Sequence, residues 1–383
     1  MRRKNLTLAL VFALLSTGLS AAHAATPKCL FGGQIRIISG QKSACQVVNN
    51  VTNWVLFKKR AENKLTAYEK TKLKAYKEIR NAAAGKSIKN IELKYELSNH
   101  LPAEIKTEYV KQTENASKLY DQFFTRPVVV NNYFQTEKDA QFIKNHPIIS
   151  RDADSFERFY KAWPAGKELH HTSGLAAWFF NHQGKSEGHT GVLVASTASK
   201  AKLSLYSQQV VAHEFFHVVQ DFYKQSRDEV GYEYPKGYDK YYPPIFREGS
   251  ANTIATAISM DSFEDYLLFY QIFLSENKGI HAPKIFARIN NVPNTIDLLK
   301  DIQSRENNPD AHWTAYPVGA LVFEWVIAEY GFAGYKKLIE NQLIGTSFED
   351  NLKASLGLSL DQLYKASAPH VLAGFAAAKG STR

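Results

Sequence analysis

The 383-residue sequence is poor in cysteine, with only Cys29 and Cys45. Two thiolates make half of a structural zinc site, so a cysteine-based metal centre is not predicted. In an oxidising compartment the two residues are expected to form one disulfide. Two free, buried thiols are the alternative.

Long apolar runs are missing beyond the N-terminus. No later segment reaches the roughly eighteen uninterrupted apolar residues that indicate a membrane-spanning helix. The most apolar stretch, residues 319 to 328, is interrupted by Glu324. We therefore expect a mature protein without stable membrane insertion.

The first 24 residues have the features of a signal peptide. A basic start, Arg2-Arg3-Lys4, precedes an apolar stretch from Leu6 to Leu15 and the small-x-small pattern Ala22-His23-Ala24. A retained anchor is the alternative, but this stretch is short for a bilayer. We predict cleavage after Ala24 and a secreted or periplasmic protein.

The charge is moderately basic, with 47 Lys and Arg against 37 Asp and Glu and a formal net charge of +10. Much of the excess lies between Lys58 and Lys111, where lysines and glutamates are interleaved at helical spacing. This is typical of a solvated helix face. Nucleic-acid binding is therefore not predicted, whereas attraction to an anionic envelope is the alternative.

Periodicity divides the mature chain into two regions. Residues 25–125 are predicted to form a helical N-terminal region, with one or two helices from Trp54 to Asn81 and another that opens at Pro102. No processing site marks this region as a propeptide, so we expect it to stay attached.

Residues 126–383 are predicted to form an α+β domain, because strands come first and helices follow. The strands are expected at 128–134 and 190–196, where β-branched and apolar residues cluster. The predicted helices cover about 207–224, 248–260, 262–275, 315–330, 332–342 and 360–378.

One segment, VAHEFFHVVQ, contains the pattern H-E-x-x-H. His213 and His217 are four residues apart, so both imidazoles face one side of a helix, and Glu214 projects about 100° further round. The apolar neighbours would bury these polar groups, at a cost of several kcal/mol unless they find partners. A metal ion and its water would satisfy them. The alternative is an accidental motif with two core histidines.

A catalytic zinc keeps three protein ligands and an open fourth position. The best third ligand is Glu248 in the segment FREGSAN. A helix beginning there would run beside the motif helix. Gly249 and Ala251 are small enough for close packing.

H-E-x-x-H followed by E-G-x-A at this distance resembles the gluzincins, a branch of the zincin metallopeptidases. The resemblance covers about a tenth of the chain, residues 213–252. It implies a zincin-like domain with a small mixed β-sheet, an active-site helix and a mainly helical C-terminal part. It also implies Zn²⁺ held by His213, His217 and Glu248, with Glu214 as the general base.

Two further roles follow from the resemblance. Many gluzincins have an aspartate four residues after the ligand glutamate, where this chain has Asn252. The side-chain oxygen of Asn252 can accept a hydrogen bond from a ligand histidine, but it supplies no charge. Asp221 is a possible substitute in this role. Tyr316 is predicted to stabilise the oxyanion, with His312 as the second choice. A core tyrosine is the alternative.

These features together predict a secreted zinc metallopeptidase that acts on a peptide or protein. The strand at 190–196 is expected to be the edge on which the substrate lies extended. One alternative is a non-catalytic zincin-fold protein that binds a partner on the envelope. The other is a helical secreted protein with an accidental motif. The sequence carries no recognisable exopeptidase anchor and no signal for an oligomeric state.

Overall fold

The computed structural model describes Cys29, Asn308 and residues 33–38, 41–48, 51–56, 61–146, 170–182, 185–196, 205–224, 238–276, 287–304, 310–342 and 346–380. The predicted signal peptide, residues 1–24, lies outside these residues. All statements below concern the described part of the chain.

The N-terminal sheet is a three-stranded antiparallel meander. Its strands are β1 (Ile35–Ile38), β2 (Gln41–Val48) and β3 (Val51–Leu56). The predicted disulfide between Cys29 and Cys45 is confirmed, with a Cα–Cα distance of 5.6 Å. It ties the chain that precedes β1 to the middle of β2.

The predicted helix from Trp54 is wrong at its start, because Trp54 lies in β3 opposite Cys45. Three β-branched residues between positions 51 and 55 favour the strand. Helix α1 (Ala67–Ala83) begins later, after Thr66. The side chains of Thr66 and Glu69 form a capping box, which satisfies two backbone N–H groups at the start of the helix.

The N-terminal region is therefore not purely helical, and that prediction is corrected. A fourth strand, β4 (Ile91–Leu97), follows α1, and helix α2 (Ala103–Tyr120) begins after Pro102 as predicted. The sequence of β4, IELKYEL, alternates apolar and polar residues, and exposure alternates along most of its length. This period of two was the missed signal.

The second sheet has four strands in the order β4, β5, β7, β6. Strand β5 (Val128–Thr136) is followed by the short helix α3 (Ala140–Asn145) and by β6 (His170–His182) and β7 (Lys185–Ser196). Strands β4, β5 and β7 are parallel, whereas β6 is antiparallel to β7. The two predicted strands, 128–134 and 190–196, are confirmed and extended.

The described residues that follow β7 are mainly helical. The helices are α4 (Leu205–Lys224), α5 (Tyr238–Tyr241), α6 (Pro244–Ser259), α7 (Phe263–Glu276), α8 (Val292–Asp301), α9 (Ala311–Glu340), α10 (Phe348–Leu356) and α11 (Leu360–Gly380). The two helices predicted at 315–330 and 332–342 are confirmed as the two parts of α9, which meet at a kink at Gly331, where φ is 71° and ψ is 171°. The α+β class with a helical C-terminal part is confirmed.

The sheet order corrects the predicted position of the substrate-binding edge. Strand β7 contains residues 190–196 but pairs with β5 on one side and β6 on the other. Its backbone groups are used by these neighbours, so it cannot accept a further strand. Among the described strands, the edge beside α4 belongs to β6, which packs against that helix.

Helix α6 lies at the centre of the helical part, and all of its residues are buried. It contacts α4 on one side and α9 on another. A Cβ added at Gly249 would lie 2.5 Å from the Cα of Gly319, so the two helix backbones meet where neither residue has a side chain. This contact fixes the position of α6 one residue after Glu248.

Replacing Gly249 by alanine is expected to destabilise the protein by about 3 kcal/mol, because the added methyl group would force two backbones apart. The free energy of unfolding in urea measures the effect. Gly374→Ala is the matched control, since the three atoms nearest to its added Cβ are side-chain atoms, of Leu321 at 2.8 Å and of Tyr68 at 3.1 and 3.2 Å, and none is backbone, so it should cost less. Equal stability of the Gly249 variant and wild type would contradict the close crossing.

Candidate metal centre

The two motif histidines occupy successive turns of α4, and their rings converge. The Nε2 atoms of His213 and His217 are 3.1 Å apart. Helix α6 begins at Pro244, four residues before Glu248, so this carboxylate comes from its second turn. The Oε2 atom of Glu248 lies 3.3 Å from Nε2 of His213 and 3.4 Å from Nε2 of His217.

These three atoms form a nearly equilateral triangle. An ion with tetrahedral bonds of about 2.0–2.1 Å separates its ligand atoms by about 3.3–3.4 Å, which is close to the observed edges. The three side chains are mostly buried. Among the described residues they are a group of His and Glu ligands that can hold a metal ion.

The hydrogen bonds of His217 leave its Nε2 lone pair directed at the triangle. Its Nδ1 lies 2.6 Å from Oε1 of Gln220. The amide nitrogen of Gln220 donates to the carbonyl oxygen of Arg247 and to Oγ of Ser250, which fixes the amide orientation. Nδ1 of His217 must therefore carry the proton.

Gln220 was not identified from the sequence, where Asp221 was considered as the partner of a ligand histidine. The signal was available, because position 220 is three residues after His217 and lies on the same helix face. An acceptor behind a metal-binding histidine fixes its tautomer and the direction of its ring. In this structure the acceptor behind His217 is the amide oxygen of Gln220.

Asn252 lies beside His213, as predicted. Its amide nitrogen donates to the carbonyl oxygen of Tyr316, so its Oδ1 faces the site and accepts from Gln209 at 2.5 Å. Burial lowers the pKa of His213, and the adjoining Glu248 carboxylate partly opposes that effect. The amide nitrogen of Gln209 also lies 3.4 Å from Nδ1 of His213, so Gln209 stands between the asparagine and this histidine.

The carboxylate of Glu248 is ionised although it is buried. Burial raises its pKa, but the charges of Arg247 and His217 lower it well below the ordinary value. Oε1 accepts from Nε of Arg247 at 2.7 Å, whereas the buried Oε2 has no hydrogen-bond donor. A buried oxygen of this kind is costly unless a cation faces it.

The closeness of Glu248 and His217 shifts the pKa of the histidine in the opposite direction, upwards. Burial lowers its pKa, but Glu248 raises it to about 9, so a proton can occupy the triangle when no metal is bound. A metal ion would replace that proton and use all three lone pairs. The donor set therefore fits a divalent metal ion.

The other predicted site residues lie around this triangle. Glu214 is buried, and its charge raises the pKa of both His217 and Tyr316. The Tyr316 ring stacks on His213 with centroids 5.4 Å apart, and the His312 ring lies 5.3 Å from Tyr316. The structure thus brings together all six residues singled out for ligation or chemistry. Their catalytic roles stay predictions.

No protein-family model, curated protein or solved structure matches this chain. None of the described helices has the length and apolar character needed to cross a membrane. The disulfide is consistent with an oxidising compartment.

Proposed function

We propose that this protein is an exported zinc metallopeptidase of gluzincin type. The observation that carries the proposal is the triangle formed by Nε2 of His213, Nε2 of His217 and Oε2 of Glu248. Glu214 lies on the same helix, α4, as the two histidines. The resemblance of H-E-x-x-H and E-G-x-A to the gluzincin motifs supports the same reading. Two imidazoles and one carboxylate are a ligand set typical of catalytic zinc.

Zinc bound there would supply Lewis acidity and lower the pKa of water towards about 7. Glu214 accepts a proton from the attacking water and passes it to the leaving amine. Burial, then the charges of Glu248 and Glu214, raise the pKa of Tyr316 well above its ordinary value. Its hydroxyl therefore stays protonated at neutral pH and can donate to the oxyanion.

The substrate is proposed to lie along β6 instead of β7. A peptide can add to a sheet through main-chain hydrogen bonds only where a strand has an unused edge. Strand β6 is the terminal strand of the sheet order and packs against α4, which carries the motif. On this proposal, an extended substrate lies next to the metal centre.

The proposal is tested by the zinc content of the mature protein. We expect one zinc per wild-type chain, and at least about 100-fold weaker binding after Glu248→Ala, because a ligand contributes at least as much as its supporting residues. Elemental analysis and competition with a chromophoric chelator measure both quantities.

Glu329→Ala is the matched control, since Glu329 is an exposed glutamate on α9. It should bind zinc as the wild type does. A wild-type protein that binds no zinc, even when zinc is supplied during folding, would exclude the metallopeptidase and favour an accidental motif.

A further inference from the structure

Arg247 contacts two parts of the metal centre at once. Its Nε donates to Oε1 of Glu248 at 2.7 Å. Its terminal nitrogen lies 3.2 Å from Nδ1 of His312, which is itself 3.6 Å from the same carboxylate oxygen. The guanidinium is largely buried, with 10% of its side chain exposed. A buried arginine in this position is held by specific partners.

The bond to Arg247 gives the two oxygens of Glu248 different environments. Oε1 is occupied by a charged donor, whereas Oε2 faces the two histidines. A carboxylate can bind an ion through one oxygen or both. Two-oxygen binding would require Oε1 to turn towards the ion and give up a charge-assisted hydrogen bond.

The same residue determines the tautomer of His312. A guanidinium has donors and no acceptor, so Nδ1 of His312 must accept. The proton of the neutral ring then lies on Nε2. His312 is partly exposed, and its ring centroid lies 5.3 Å from that of Tyr316.

We propose that Arg247 is a positioning residue, which restricts Glu248 to one-oxygen ligation and keeps His312 in the Nε2–H form. The part that concerns Glu248 rests on the proposed function, because it requires a bound metal. The part that concerns His312 does not. Restricted ligation would keep a coordination position open at the bound metal.

The first measurement is the absorption spectrum of the cobalt(II)-substituted protein. Four-coordinate cobalt absorbs visible light several-fold more strongly than cobalt with more ligands. Wild type is expected to show the strong bands. Arg247→Met should weaken them and lower zinc affinity by about 10- to 100-fold, as is typical when a residue that orients a ligand is lost.

Arg247→Lys is the conservative variant, because lysine keeps the charge and can bond Glu248 but lacks the planar fork that also reaches His312. It should restore most of the cobalt spectrum. The tautomer of His312 is measured separately by ¹⁵N NMR on the metal-free protein. Wild type should have the Nε2–H form, and both variants should show a mixture.

The possible results distinguish a failure of this inference from a failure of the proposed function. Wild type that binds neither zinc nor cobalt would contradict the proposed function, while His312 in the Nε2–H form would still support the role of Arg247. Metal binding with an unchanged spectrum and affinity in Arg247→Met would overturn the effect on Glu248. An Nδ1–H tautomer in wild type would overturn the effect on His312, even if a variant failed to fold.

Discussion

Glu214→Gln is expected to lower the rate of peptide hydrolysis by about 10²- to 10⁴-fold, the range for loss of a general acid or base. Glutamine has nearly the same shape but cannot accept the proton of water. Glu214 is not part of the ligand triangle, which consists of His213, His217 and Glu248. Zinc should therefore remain bound at one ion per chain.

The test compares zinc content with cleavage of a general unfolded protein substrate. Glu329→Gln makes the same chemical change at an exposed position of α9 and should leave both quantities unchanged. Full hydrolysis by Glu214→Gln would show that another group is the base. Wild type that binds zinc but cleaves no substrate would favour the non-catalytic binding protein.

The second large effect, on the free energy of unfolding, is expected at a buried charge network outside the metal centre. Lys72 of α1 and Glu324 of α9 are both fully buried, with Nζ and Oε1 2.6 Å apart. Tyr266 donates to the same oxygen at 2.5 Å, and His370 of α11 lies 2.7 Å from Oε2. The ammonium group lies 3.2 Å from the centroid of the Tyr270 ring. The network joins the N-terminal region to the C-terminal helices.

Lys72→Met is expected to destabilise the protein by about 3–5 kcal/mol, because it leaves the charge of Glu324 buried without its main partner. Burial lowers the pKa of Lys72 to about 8, against the raising effect of Glu324, so the pair is still charged at neutral pH. Chemical denaturation at pH 7 measures the loss. Lys72→Met combined with Glu324→Gln should be more stable than Lys72→Met alone.

The network also predicts how the free energy of unfolding depends on pH. Burial raises the pKa of Glu324, but Lys72 and His370 together bring it below the ordinary value of 4.5. The folded state therefore holds the proton less tightly than the unfolded state. The stabilisation is complete above about pH 4.5 and is lost as the pH falls through the lower folded value. A Glu324→Gln variant should lack this acid-dependent loss.

Periodicity predicted the long helices well, because each buries one apolar face and that spacing is visible in the sequence. It failed at the four strands β1 to β4, between residues 35 and 97, although helix α1 in the same interval was predicted apart from its start. The pattern around Trp54 fits helix and strand alike. The alternating sequence of β4 was readable, but the lysines and glutamates there were interpreted as a helix face.

The metal centre was largely predicted from residue types and spacing. The four-residue separation of His213 and His217 fixes their common helix face, and the requirement for a third ligand led to Glu248. Gln220 was missed although its position three residues after His217 was visible in the sequence, whereas Arg247 was missed because no spacing rule marks it as the partner of Glu248. Their roles depend on how α4 and α6 lie against each other.

The disulfide pair, the helical C-terminal part and the three residues that can hold a metal ion were predictable from the sequence, because they follow from local spacing and residue chemistry. The folded structure was needed to show that β6 is the edge strand beside this site and that Lys72 faces Glu324. Strand order and charge pairing between distant segments depend on which surfaces pack together. The surfaces that pack together are set by burial across the whole chain, and this leaves no local pattern in the sequence.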